Sequence, residues 1–424
     1  MSAPVSSLPG MSDILPEEAT LWQWVEGRCR EVLRNAGFGE IRTPILERTD
    51  LFVRTTGEGS EVVQKQMFTF DDRSGRSLSL RPEGTPSIMR AYLSSQGDGG
   101  PVRWYYMGPM FRSERPQAGR KRQFHQLGAE AIGSESVIVD AEMIGLTYDL
   151  CSSVGLPEAV VLVNSIGSAE DQAAIKGLLA GYFTDHREAL CADCSRRLEG
   201  NVLRILDCKN EQCQAVIEGA PPIAEAIGVE GRREFDRLIS LLDRAAIPFR
   251  MEPRLVRGLD YYTRTVWEVR HDALGAQDAL GGGGRYDRLA ESLGQKAYRP
   301  GVGFAMGLER MLLAIQAGKG AQDLRAEGGP DVWLVSMGAP AEEANFLWAR
   351  EVRSKLGLSV QGDFDGRSMK AQMRMANRSG ARWVVICGED ELAKGVFCLK
   401  DLQSGEQWEV SGQDAVVQLG GTQE

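Results

Sequence analysis

Histidine is nearly missing from this chain: of 424 residues only His125, His186 and His271 are histidine, too few and too scattered for a histidine-rich metal centre. Long apolar runs are missing as well. No stretch approaches the ~20 residues that a membrane-spanning helix needs, and residues 1–15 lack a charged start followed by an apolar core. A protein of the cytoplasm, without membrane partners, is therefore expected, and there most of the eight cysteines are expected to be reduced thiols. Excess positive charge is also lacking. A formal charge of −10 and a pI near 5.2 argue against a broadly basic nucleic-acid coat, so any polyanion has to be gripped by local basic clusters. Finally, no Lys-Ser/Thr follows the glycine run 281–284, which excludes a P-loop, and the run lacks the strand-to-helix setting of a dinucleotide fingerprint. What remains is a strand whose glycines let another backbone or a ligand come close.

A chain of this length exceeds one ordinary core and suggests two or three domains. Apolar residues at Leu21, Val25, Cys29, Val32 and Ala36 predict an amphipathic helix over residues 17–36, entered through Pro16 and closed by Gly37. Residues 38–47 read as a short strand in which Pro44, with no N–H to give a ladder, prefers an edge where a second subunit could join. Residues 66–83 read as a hairpin turning through Asp72 to Gly75, its second strand delivering Arg81, Glu83 and Thr85. Two further strands, residues 104–112 and 123–131, flank a loop bearing Glu114, Arg115, Arg120, Lys121 and Arg122. A basic loop between ordered strands can grip a phosphate chain, because the scaffold fixes where its charges point. Gln126 and Glu130 share one face of the returning strand.

Residues 168–248 turn mainly helical and read as an inserted module. Arg257-Gly-Leu-Asp-Tyr-Tyr-Thr-Arg-Thr then opens a predicted strand from Tyr261 to Val269 that would put Arg257 and Tyr261 on one side. A guanidinium beside Gly258 suits an anion, having paired planar donors and permanent charge. Residues 318–330 form a candidate linker rich in Gly, Ala and charge, and beyond it strands and helices alternate as in an α/β unit.

Taken together these segments resemble the bacterial histidyl-tRNA synthetases, a family of class II aminoacyl-tRNA synthetases, over essentially the whole chain. The Pro44 segment, Phe111-Arg112-Ser-Glu114 and Gly307-Leu-Glu-Arg310 resemble the three class motifs, while Arg257-Gly-Leu-Asp-Tyr-Tyr-Thr-Arg-Thr and Gly282-Gly-Gly-Arg-Tyr286-Asp resemble the histidine-specific ones. The resemblance implies an α+β catalytic domain with an antiparallel class II synthetase sheet and a helical insertion, followed by a C-terminal α/β anticodon-binding domain. The corresponding boundaries are 1–327, with the insertion at about 168–248, and 328–424. It further implies an ATP-dependent ligase that forms histidyl-adenylate and passes histidine to tRNA(His) as a homodimer. ATP would enter with Mg²⁺ as a substrate complex, with no tightly bound organic cofactor.

Carried over residue by residue, Arg112 and Arg257 would be catalytic, holding the α-phosphate and the carboxylate. Arg112, Arg120 and Arg310 would bind ATP. Glu83 would face the ammonium of histidine, and Thr85, Gln126, Glu130, Tyr261, Tyr262 and Tyr286 would close a pocket around its imidazole. A pocket that hydrogen-bonds a ring nitrogen can reject substrates lacking it by about 10⁴-fold. Within an acidic chain of this type, Arg367, Lys370, Arg374 and Arg378 are expected to line one helix face and touch tRNA, with Met369, Met373 and Ala376 toward the core. A non-catalytic relative, the regulatory subunit of ATP phosphoribosyltransferase, would show degraded motifs and no anticodon domain. A pure RNA-binding protein would leave Glu83, Gln126 and Glu130 unexplained. No metal is assigned. Cys191-Ala-Asp-Cys194 and Cys208-Lys-Asn-Glu-Gln-Cys213 have zinc-like spacing, and bound zinc and reduced structural thiols both stay open.

Overall fold

Helix α1 (Pro16–Asn35) buries Leu21, Trp22, Val25, Cys29 and Leu33, and Glu17 and Glu18 sit in its first turn, where negative charge favours a helix. It opens a computed structural model that describes residues 5–57, 60–95, 100–117, 119–318 and 329–420. The segment 38–47, expected as one strand, is split: β1 (Gly39–Glu40) pairs in parallel with the main sheet, while β2 (Leu46–Arg48) joins a separate three-stranded sheet. Pro44 lies between them, where a missing N–H costs no ladder bond. After α2 (Thr49–Thr56) comes the expected hairpin, β3 (Thr69–Asp71) and β4 (Ser77–Leu80). Its turn is held by Asp72, whose carboxylate accepts from the backbone N–H groups of Ser74 and Arg76. Glu83 and Thr85 lie past the second strand rather than on it, and Thr85 opens α3 (Thr85–Ser95).

Strands β5 (Val102–Phe111) and β6 (Gln123–Ile132) pair antiparallel along their whole length, followed by α4 (Val137–Ser153) and β7 (Val160–Ser165). The insertion is helical as read: α5 (Asp171–Asp185), α6 (Ala192–Glu199), α7 (Glu211–Glu218) and α8 (Val229–Arg244). Then come β8 (Phe249–Met251), β9 (Thr263–Arg270), β10 (Ala279–Arg285), α9 (Leu289–Ser292), β11 (Gly301–Gly307) and α10 (Leu308–Ala317). The eight-stranded sheet runs β1-β5-β6-β11-β10-β9-β7-β8; every pair is antiparallel except β1 with β5 and β7 with β8, which are the two edges. β9 starts later than expected, so Arg257 and Tyr261 belong to an irregular loop before it and not to one strand face.

A buried ion network ties the sheet to α4. Arg285 of β10 is fully enclosed; it donates to both oxygens of Asp140 on α4 and, over 3.1 Å, to Asp287. Such a charge is tolerable only with its partners, so the arginine in the Gly-Gly-Gly-Arg-Tyr-Asp motif is a structural strut.

The described chain divides into two compact units, residues 1–321 and 322–424. The expected boundary at 327/328 and most of the linker lie outside the described residues. The second unit contains β12 (Val332–Ser336), α11 (Ala339–Leu356), β13 (Val360–Gly362), α12 (Met369–Ser379), β14 (Trp383–Cys387), α13 (Glu389–Lys394), β15 (Val396–Asp401), β16 (Gln407–Ser411) and α14 (Gly412–Gly420). Its sheet, β13-β12-β14-β15-β16, is parallel through β14 and antiparallel beyond. Alternate residues feed two cores: Val332, Leu334 and Val385 pack with Trp348 and Val352 of α11, while Trp333, Val335 and Val384 pack with Ala376 of α12.

Candidate active site

Period-two alternation builds the site's floor. On β5 and β6 the even-numbered residues Tyr106, Phe124 and Gln126 point to one side, and they line a cavity of about 1240 Å³. Register then sets small residues against them: Gly128 lies opposite Tyr106, Ala305 opposite Gly128, and Gly282 opposite Ala305. The glycines are what leave the space. A Cβ on Gly303 would collide with the Glu130 carboxylate, one on Gly282 with the Trp267 carbonyl, and one on Gly284 would come within 2.6 Å of the Tyr262 ring. The run 281–284 is therefore a strand against which other groups pack closely.

Of the residues singled out in the sequence, Glu83, Thr85, Arg112, Arg120, Gln126, Arg257, Tyr261, Tyr262 and Arg310 all line this one cavity. Glu130 and Tyr286 do not. They sit directly behind the wall, 0% and 1% exposed, where Tyr286 donates to Glu130 Oε2 over 2.5 Å and Thr85 donates to Glu130 Oε1 over 2.6 Å. The expected pocket wall thus has two layers, with Thr85 in front and the carboxyl of Glu130 behind it.

The pocket's carboxylates are electrostatically unusual. Burial pushes the Glu130 carboxyl up to about 8, against the pull of the Thr85 and Tyr286 hydroxyls, and nearby Glu83 adds to the rise. Burial also raises Glu83, opposed by the Tyr261 hydroxyl and by the charge of Arg112. Tyr261 donates to Glu83 Oε2 over 2.8 Å and Thr56 donates to Oε1 over 3.1 Å, so both oxygens are held and aimed. The rings of Tyr261 and Tyr262 lie 4.6 Å apart, and Tyr261 meets Tyr286 edge-on at 6.0 Å. Gln126 Oε1 is buried without a hydrogen-bond partner among the described residues, an acceptor suited to a ligand N–H.

The cations occupy other parts of the wall. Arg112 donates through Nε to the Pro82 carbonyl at 3.0 Å and stacks on Phe124 at 5.3 Å, which leaves the rest of its fork for an anion. Arg257 donates through Nη1 to Glu268 Oε2, and Arg270 donates to the other oxygen of the same carboxylate over 2.8 Å. Arg120 faces Glu114 at 3.6 Å. Arg310 has its pKa lowered by burial and then by the charge of Arg120, so an added anion is welcome there.

Sequence reading missed Thr56, Tyr106 and Glu268. Tyr106 was within reach, since it shares strand parity with Arg112. Thr56 was not, because only tertiary packing brings α2 to Glu83. On α12, Lys370, Arg374 and Arg378 are exposed, but Arg367 lies before the helix and is paired with Asp363 and with Asp365 at 2.9 Å. Met369, expected toward the core, is instead 44% exposed, Ala376 is buried as expected, and Gln372, not foreseen, faces inward, bonded to the backbone of Ser336. The four cysteines of the insertion, in contrast, do converge.

Comparison with known proteins agrees with this geometry. A family model described as histidyl-tRNA synthetase matches residues 10–311, and one described as anticodon binding domain matches residues 334–419. The chain is 46% identical to a histidine–tRNA ligase of Halothermothrix orenii over 403 residues, covering 95% of each chain, and 44% identical to that of Desulforamulus reducens over 410 residues, covering 96% and 97%. Among solved structures it is similar to apo histidyl-tRNA synthetase of S. aureus, with a TM-score of 0.81, 32% identity, and coverage of 98% of this chain and 100% of that one. A match to the synthetase family model over residues 10–311, followed by an anticodon-binding domain and backed by relatives 44–46% identical over nearly the whole chain, places this chain in the histidyl-tRNA synthetase family.

Proposed function

We propose that this chain is a histidine–tRNA ligase, which activates L-histidine with ATP to histidyl-adenylate and diphosphate and then transfers the histidyl group to tRNA(His), releasing AMP. The observation that carries the reading is the charge layout of one cavity: Glu83, fixed by Tyr261 and Thr56, with Arg112, Arg257 and Arg310 on the same wall. An α-amino acid and a triphosphate need that combination, one anion for the ammonium and several cations for carboxylate and phosphates. Glu83 is the group for the ammonium, and Gln126, Thr85, Tyr261 and Tyr262, backed by Glu130 and Tyr286, enclose the imidazole. Arg112 and Arg257 hold the α-phosphate and carboxylate where the new P–O bond forms, while Arg310 and Arg120 serve the outer phosphates. Mg²⁺ comes with ATP as part of the substrate complex and screens its charge.

In the same reading residues 1–327 are catalytic, the insertion at about 168–248 sits toward the acceptor end of the tRNA, and residues 328–424 take the anticodon. Two chains join through residues 38–47, a role supported by β1 at the sheet edge and by Ile45 and Leu46, which are 42% and 40% exposed. No described helix is long and apolar enough to cross a membrane, and the cytoplasm is the proposed compartment. Histidine-dependent exchange between ATP and diphosphate tests the first step. Exchange with histidine and with no other amino acid is expected; absence of exchange by a folded chain that still binds histidine would return it to a sensing role.

A further inference from the structure

We propose that Cys191, Cys194, Cys208 and Cys213 hold one structural zinc ion at the foot of the insertion. Their four sulfurs all lie within 4.8 Å of one another, and Cys191 and Cys208 are 3.9 Å apart. A tetrahedral site with Zn–S bonds of ~2.3 Å sets its sulfurs ~3.8 Å apart. The observed spacing is close to that. All four are unpaired thiols and three of them are buried, so the cluster is not a chance grouping at the surface.

Local structure explains the convergence. Cys191 caps α6 and Cys194 lies in its first turn; Cys208 precedes Asn210, the cap of α7, and Cys213 lies in that helix's first turn. Two helix N-termini therefore face the cluster, and their dipoles favour thiolates. Backbone N–H groups are also aimed at sulfur: Cys191 donates to Cys213 Sγ at 3.2 Å and Asn210 to Cys208 Sγ at 3.5 Å. Such outer donors orient and stabilise thiolate ligands. Helices of eight residues are marginal on their own, and four Zn–S bonds, formed as four thiols give up their protons to solvent, would fasten them together.

The site reaches the cavity through the segment between its two pairs. Asn201 donates to Asp260 Oδ1 over 2.6 Å, and Arg204 donates to the Arg257 carbonyl over 3.4 Å. Zinc would thus steady the loop that carries Arg257, Tyr261 and Tyr262.

The test uses the full chain purified without chelator. Elemental analysis should find about one zinc per chain, as a closed four-thiolate site takes one ion. Cobalt added to metal-free chain should give the intense visible bands of a tetrahedral thiolate complex. Cys194→Ser and the partly exposed Cys191→Ser should both lose the metal, whereas Cys398→Ser, in the other unit, should keep it. Hydrogen exchange should quicken across residues 191–218 on chelation and stay unchanged in residues 332–419. Zinc well under one per chain, together with no uptake when the metal-free chain is titrated with zinc alone, overturns the proposal. So does an intact mass four hydrogens light, which would show two disulfides. None of these readouts depends on the ligase reaction, so this site and that activity stand or fall separately.

Discussion

Arg257 reaches Glu268 across the cavity wall, Nη1 to Oε2 at 2.7 Å, while its Nε is buried with no hydrogen-bond partner among the described residues. One edge of the guanidinium is thus anchored and the other is available to an anion, an arrangement that presets the fork before substrate arrives.

If that fork meets the phosphate as charge builds, Arg257→Ala should slow adenylate formation by ~10²–10³, with histidine and ATP binding within about tenfold of the parent. Arg257→Lys should recover little, because a point charge cannot both keep Glu268 and present a second donor. Single-turnover formation of adenylate at a near-normal rate in Arg257→Ala would remove this arginine from the mechanism.

Glu130 makes stability depend on pH in a particular direction. Its folded pKa, about 8, is above the ordinary carboxylate value, so between roughly pH 4.5 and 8 the folded chain holds a proton that the unfolded chain has lost. Stability from this group is therefore full below pH 4.5 and declines as pH rises toward 8. Glu130→Gln, which keeps the shape without the titration, should flatten that decline, and thermal midpoints of both chains from pH 5 to 8 will show it. Parallel curves would mean that Glu130 is ionised when folded.

Tyr261→Phe removes one of the two hydroxyls that hold Glu83. A hydrogen bond to a charged group is worth about 1.5–3 kcal/mol, so KM for histidine should rise by roughly ten- to a hundredfold while KM for ATP moves little. An equal rise in both constants would point to a collapsed pocket instead.

On α12 the exposed Lys370 and Arg374 should contact tRNA phosphates, each adding roughly one unit to the salt slope of binding. Alanine at both should weaken binding and lower the slope. Arg367→Ala should do neither, since that guanidinium is already neutralised by Asp363 and Asp365. A slope unaffected by the double change returns the stripe to solvent.

Much of this protein was decided by local sequence. Period-two and helical spacing located most of the elements, and the motifs around Arg112, Arg257, Tyr286 and Arg310 named the family and pointed to nine residues that line one cavity. These features are legible because side-chain direction follows backbone periodicity over a few residues. What only the tertiary structure decided is which charge meets which. Two arginines of similar motif standing, Arg257 and Arg285, part company there: one lines the cavity, and the other is sealed against Asp140 from a helix 145 positions earlier. Glu130 retreats behind Thr85, Thr56 arrives from α2 to hold Glu83, and Arg367 is taken by its own aspartates. Those outcomes turn on burial and on long-range pairing, and an ionisable side chain acquires its partner, and with it its role, only when distant segments close around it.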